Sequence, residues 1–249
     1  MLKNFSLLAL ATLLLVQFTT CLPMPSSSES EETNTIPQRT TAQTTTPAPP
    51  GHTAAQKRLE ALVYKSYSNL LNFQLQRSNQ IAKDVLADPS MNNIVSDAME
   101  NEKRQLEKFV KDSKESLLAA LPANKNDQQN RFFFAIGKGF VIEEFEGFAR
   151  RRASKTEELT PEQQVSWNAL EKHGFQEYKN DLEKRADEFS GYLVDEFGNF
   201  IKTLTPAEKE KEKDMVEVWN MYTNNVLGLS KTEFGQRLFG LLFQYETKY

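Results

Sequence analysis

The sequence predicts an all-α protein, a bundle of about six or seven amphipathic helices that follows a disordered N-terminal stalk. Three observations predict it. Between Phe175 and Leu204 the apolar and small residues fall at Phe175, Tyr178, Leu182, Ala186, Phe189, Leu193, Phe197, Phe200 and Leu204. Their steps average about 3.6 residues, the period of an α-helix. Three helix-start signatures surround that stretch: Thr160 to Gln163, Thr205 to Glu208 and Ser230 to Glu233, each a hydroxyl residue followed three positions later by Glu or Gln. No segment sustains the period-two alternation of a half-buried strand, so no sheet is expected.

The chain opens with a secretory signal. Lys3 supplies a short positive region, Leu7 to Phe18 is almost wholly apolar, and Thr19-Thr20-Cys21 offers small residues for cleavage. The segment 1–21 is too short and wrongly flanked for a transmembrane helix, and no later stretch approaches the roughly 20 apolar residues that spanning requires. The mature chain is therefore expected to be secreted and extracellular. Residues 22–53 hold twelve Ser/Thr and six Pro among few large apolar side chains. Such a segment cannot bury enough surface to offset its ordering entropy, so it reads as a disordered linker. Its Thr/Pro run is that of an O-glycosylated stalk or an unmodified spacer. The helical domain is 54–249, with 123–130 as the one place for an internal boundary.

Helix one carries Leu59, Val63, Tyr67, Leu70, Leu71, Phe73, Ile81 and Val85. Asp88-Pro89 is predicted to stop it and to start helix two, because Asp caps well and Pro is favoured at the first helical position. Helix two carries Ile94, Val95, Ala98, Leu106, Phe109, Val110, Leu117 and Leu121, with Glu102, Lys103, Arg104, Glu107 and Lys108 on a solvated face. After a polar connection, helix three gathers Phe132, Phe133, Phe134, Ile136, Phe140, Val141, Ile142, Phe145 and Phe148. Gly137 and Gly139 interrupt it at about 1 kcal/mol each relative to Ala. They indicate close helix approach, a kink or room for a ligand. Arg150-Arg151-Arg152-Ala153-Ser154 reads as a solvated helix end favoured by the macrodipole, as a protease site, as an anion contact or as a kinase site. Ala149 breaks the furin pattern. Helix four runs from Thr160-Pro161 to His173-Gly174, where Gly suits the left-handed end position. Phe175–Leu204 is helix five. Helix six runs from Thr205-Pro206 to Gly228 with Met215, Val218, Trp219, Tyr222 and Leu227. Helix seven carries Phe234, Leu238, Leu241, Leu242 and Tyr245.

Composition narrows the chemistry. The net charge of −4 does not suit a protein built around phosphate backbones, so no nucleic acid is expected. The only Cys lies at the cleavage site, which leaves no disulfide and no thiolate. The two His are His52, in the linker, and His173, at a helix end. A Ser-His-Asp relay would have only His173 to use, and zinc and di-iron ligand sets are missing. No catalytic residue, metal ligand or cofactor is therefore assigned, and no enzyme is expected. The 17 Phe stand out instead. Spaced as they are on helices, they form core, or they line a site for a fatty acid or similar lipid. In the second case Phe133, Phe140, Phe145, Phe189, Phe197 and Phe200 are the lining residues.

Trp167, the stretch Phe175-Gln176-Glu177-Tyr178-Lys179-Asn180-Asp181-Leu182-Glu183 and Leu204-Thr205-Pro206-Ala207-Glu208-Lys209 give the C-terminal half, about 130–242, a resemblance to the SXP/RAL-type secreted antigens of nematodes. The chain also resembles the nematode fatty-acid and retinol-binding proteins, with their Leu-Thr-Pro-like helix starts. Either resemblance implies a secreted, disulfide-free, all-helical protein, and neither carries catalytic residues. Two functions follow as expectations: a carrier of a small hydrophobic molecule, and a structural or host-interaction protein with no small-molecule ligand.

Overall fold

Two long helices set the length of the molecule. In the computed structural model, which describes residues 54–118, 128–153 and 158–248, α1 is Ala54–Ala87 and α5 is Phe175–Thr203. They have 34 and 29 residues, about 50 Å and 44 Å of helix. They pack together antiparallel: the Phe73 ring lies 6.5 Å from Tyr178, and Tyr67 lies 6.0 Å from Phe189. The other elements are a 3-10 turn (Pro89–Asn92), α2 (Asp97–Leu118), α3 (Gln128–Ala153), α4 (Pro161–Lys172), α6 (Pro206–Lys211), α7 (Lys213–Thr223) and α8 (Lys231–Lys248). The protein is all-α, with no strand among the described residues. The signal segment, the linker, the connection 119–127 and residues 154–157 lie outside them.

Neighbours gather on the two long helices in two groups. The C-terminal half of α1 packs with α2, α3 and the start of α5 as a four-helix bundle, and α4 crosses its end against α1, α2, α3 and the 3-10 turn. Further along, α5 packs with α8 and α7, and Tyr67 brings α1 within 4.8 Å of the Phe239 ring. All the stripe residues read in α5 are buried except Ala186, which is half-buried.

The helix starts follow the local chemistry. At Thr160, Thr205 and Ser230 the hydroxyl oxygen accepts the N–H three residues on, at 3.3 Å each, while the Gln or Glu side chain accepts the N–H of the cap. Gly174 ends α4 with φ +87°. Asp88-Pro89 does end α1, but it starts only the short 3-10 turn, Asp88 Oδ1 accepting the Ser90 N–H at 2.9 Å. The next true cap is Ser96, whose Oγ accepts from Met99 at 3.1 Å, with Asp97 and Glu100 in the first turn of α2. Ile94 and Val95 therefore sit in a link rather than on a helix face, and Val95 is 98% exposed. Expected helix six is divided. A kink at Glu212 (φ −100°) separates α6 from α7, although Glu212 N–H still reaches the Glu208 carbonyl at 2.9 Å. No Gly or Pro marks it. The kink aims α7 at α5, where Trp219 fits against Gly198. The helix then ends at Thr223, before Gly228: Asn225 takes the left-handed end position (φ +55°), and the N–H groups of Val226 and Asn225 reach the Met221 and Tyr222 carbonyls at 2.9 Å, a Schellman end.

The glycines divide in an unexpected way. At Gly137 and Gly139 an added Cβ would meet nothing within 4 Å, and α3 runs through them as helix, so no neighbour requires them. Close approach occurs instead at Gly235, where a Cβ would stand 2.7 Å from the Ser190 carbonyl carbon. Substitution should separate the two classes. Gly235→Ala is expected to destabilise by about 1–3 kcal/mol through forced separation of α5 and α8. Gly137→Ala and Gly139→Ala are expected to stabilise by about 1 kcal/mol each. Urea unfolding of the three variants tests both signs.

Candidate functional site

Of the six Phe expected to line one site, Phe197 and Phe200 meet each other, and among the described residues Phe140, Phe145 and Phe189 do not join them. Phe145 lies in the four-helix group, with Phe109 at 5.1 Å, Phe175 at 6.0 Å and Tyr178 at 6.3 Å between ring centres. Phe189 packs with Tyr67 and, at 5.4 Å, with Phe239. Phe197 contacts Phe200 and Trp219, both at 5.9 Å. Along α5, Phe189 and Phe197 are about 12 Å apart. These four Phe are buried. Phe140 is 51% exposed on the outer face of α3, and the Phe133 side chain lies outside the described residues. The aromatic contacts are tilted, edge-on or, for Phe197 and Phe200, stacked, packing of the kind that fills a core.

Polar chemistry appears where the apolar pattern alone does not look. The buried face of α3 steps 3-4-3-4-3 through Ala135, Lys138, Ile142, Phe145, Ala149 and Arg152, and that of α2 steps 3-4-3-4 through Met99, Glu102, Leu106, Phe109 and Ser113. Two cations and an anion thus stand in core positions. Arg152 was expected on a solvated helix end and Glu102 on a solvated face. Both are buried because each satisfies the other: Arg152 Nε donates to Glu102 Oε2 at 2.7 Å, and Nη2 donates to the same oxygen. The guanidinium also donates to the Phe148 carbonyl and lies 3.3 Å from the Phe148 ring centre. Burial pulls Arg152 below its ordinary pKa and Glu102 pushes it back. Arg150 and Arg151 remain exposed, on Glu143 and Gln105.

A second buried carboxylate, Glu146, accepts from Tyr178 Oη at 2.7 Å and Lys179 Nζ at 3.2 Å. Burial, then the Glu146 charge, holds the Tyr178 phenol well above its usual pKa. Asn79 donates across from α1 to the Val110 carbonyl at 3.0 Å and to Ser113 Oγ at 2.7 Å. Lys138 differs from all of these. It is 8% exposed, and its amine meets one acceptor, Asn72 Oδ1 at 2.6 Å, and the Phe134 ring at 5.1 Å. Among the described residues no carboxylate pairs with it, and burial lowers its pKa. Continuing the 3-4 register through every residue type, charged ones included, would have found both Lys138 and Arg152 in the sequence.

At the α4 end, Asp88 is a joint. Its Oδ2 accepts Lys172 Nζ at 2.7 Å and stands 2.8 Å from His173 Nε2, while Oδ1 holds the Ser90 N–H. Lys172 first, then Ser90 and His173, keep the carboxyl well below the usual carboxylate range. A nucleophilic relay needs histidine between hydroxyl and carboxylate. Here the carboxylate lies between Ser90 and His173, an arrangement that ties the 3-10 turn to α4. Among the described residues no group of three or more His, Cys, Asp or Glu is placed to hold a metal ion.

No protein-family model, no curated protein and no solved structure matches the chain.

Two measurements test these joints. Arg152→Met is expected to cost roughly 3–5 kcal/mol, because it strands the Glu102 charge, and the double change with Glu102→Leu should cost less than the single one. Asp88→Asn should lower Tm by a few °C at pH 7. A carboxyl depressed in the folded state contributes fully above its unfolded value near 3.9, and the contribution fades as pH falls toward the folded one. The Tm difference between Asp88→Asn and the native chain should therefore shrink below about pH 4.

Proposed function

We propose that this is a secreted, non-enzymatic helical protein that acts through its surface, as a structural or host-interaction protein, rather than a carrier that encloses a hydrophobic ligand. The observation that supports this reading is how four of the six candidate Phe are spent. Phe145, Phe189, Phe197 and Phe200 pack on other aromatic rings in separate parts of the core. A lipid-sized cavity is lined by apolar groups that leave their inner faces uncovered, whereas these rings cover one another. The resemblance of the C-terminal half to nematode secreted antigens points the same way. No described helix is long and apolar enough to cross a membrane.

Displacement of a fluorescent fatty acid, titrated with the chain from residue 22 onward, separates the two readings. The expected result is no saturable displacement by a protein whose helical circular dichroism is intact. Saturable displacement in the low-micromolar range would restore the carrier reading and return the Phe residues to a site.

A further inference from the structure

Lys138 is the one buried cation among those described that has no carboxylate partner. Long charged side chains are almost never buried unless paired, and an unpaired ammonium in an apolar setting is costly relative to the neutral amine. The setting at Lys138 is apolar. Phe134 lies one turn before it and Val141 three residues after it, both half-buried on the same helix face. The sole hydrogen-bond partner, Asn72, is neutral and reaches across from α1 at 2.6 Å. Gly137 and Gly139 flank the lysine, and neither is there to admit a neighbouring helix, because the space that a Cβ would take is open at both. Two glycines weaken α3 for no packing gain, and what they leave is a strip of helix surface without side chains on either side of the lysine, exposed at Gly137 and half-buried at Gly139.

We propose that Lys138 is a covalent capture site, whose amine forms a reversible imine with an apolar aldehyde that enters over Gly137 and lies against Phe134 and Val141. The Nζ lone pair attacks the carbonyl carbon, and proton transfer from nitrogen to oxygen gives a carbinolamine. Loss of water then leaves the C=N bond, and hydrolysis reverses the sequence, so no oxidant or reductant is consumed. Asn72 suits both stages. Its Oδ1 accepts from the amine, and its amide N–H groups can donate to the carbinolamine oxygen. This inference stands apart from the surface reading above, since a covalent adduct on one lysine needs no enclosed cavity.

The test is reductive trapping. The folded chain is incubated with cinnamaldehyde and cyanoborohydride at neutral pH, and adducts are mapped by peptide mass spectrometry over time. Lys138 should be labelled about tenfold faster than the exposed Lys65 and Lys111, as expected of an amine whose pKa burial lowers. Lys138→Arg should abolish the fast phase. Asn72→Asp keeps the fold by giving the ammonium a charged partner, and it should slow labelling to the surface rate, which a merely structural role for Lys138 would not predict. Labelling of Lys138 no faster than Lys65 and Lys111, or a fast phase that survives Asn72→Asp, overturns the proposal.

Discussion

The structure depends on one mismatch of lengths. Helices α1 and α5 each carry a buried stripe over nearly their whole length, and they are the two longest helices among the described residues. Their antiparallel contact covers one side of each stripe and leaves the rest to be covered in instalments. Hence α2, α3 and α4 gather at one end and α7 and α8 at the other. The geometry of every later element answers to this pair. α8 must approach α5 closely enough that Gly235 sits on the Ser190 backbone, and α7 must turn at Glu212 for Trp219 to reach Gly198.

Within the four-helix end, the core is not purely apolar. Glu102 and Arg152 occupy matching core positions of α2 and α3, and Glu146, Tyr178 and Lys179 join α3 to α5. Buried ionic groups add little stability over well-packed apolar ones, yet a mispaired arrangement would strand a charge. Asn79 on α1, bonded to the Val110 carbonyl and Ser113 of α2, works in the same way between neutral groups. Such contacts favour one register of α1, α2, α3 and α5 over slipped alternatives, much as a single polar core residue does in coiled coils. Lys138 stands outside this logic, since its partner carries no charge and a slip would strand nothing worse than what is already there.

The richness in Phe has a plain physical role. A helical domain without a disulfide among its described residues must draw its stability from buried area, and aromatic side chains each bury more than aliphatic ones. Phe109, Phe145, Phe175 and Tyr178 form one packed group, and Phe197, Trp219, Tyr222 and Phe234 another, with the Tyr222 and Phe234 rings stacked at 4.0 Å. The same abundance that suggests a lipid site in a linear reading is what holds two ends of one molecule together.

The sequence by itself determined what is local. Helix periods, the three capping boxes, the left-handed Gly174 and the end of α1 at Asp88 depend on residues within a turn or two of each other, and all were legible. Tertiary structure decided whatever depends on a partner far along the chain. Glu102 and Arg152 read as solvated because each stands in a run of charged residues; the partner that lets each be buried is 50 residues away. The Phe residues stand at helical spacing, but which rings meet depends on how helices cross, and among those described crossing leaves Phe197 with Phe200 and sets Phe145 and Phe189 apart from them. Gly137 and Gly235 are the same residue in helices of similar pattern, and only the neighbouring backbone makes one dispensable and the other not. A cap or a period is a short-range energy, whereas burial is a property of the whole packed bundle.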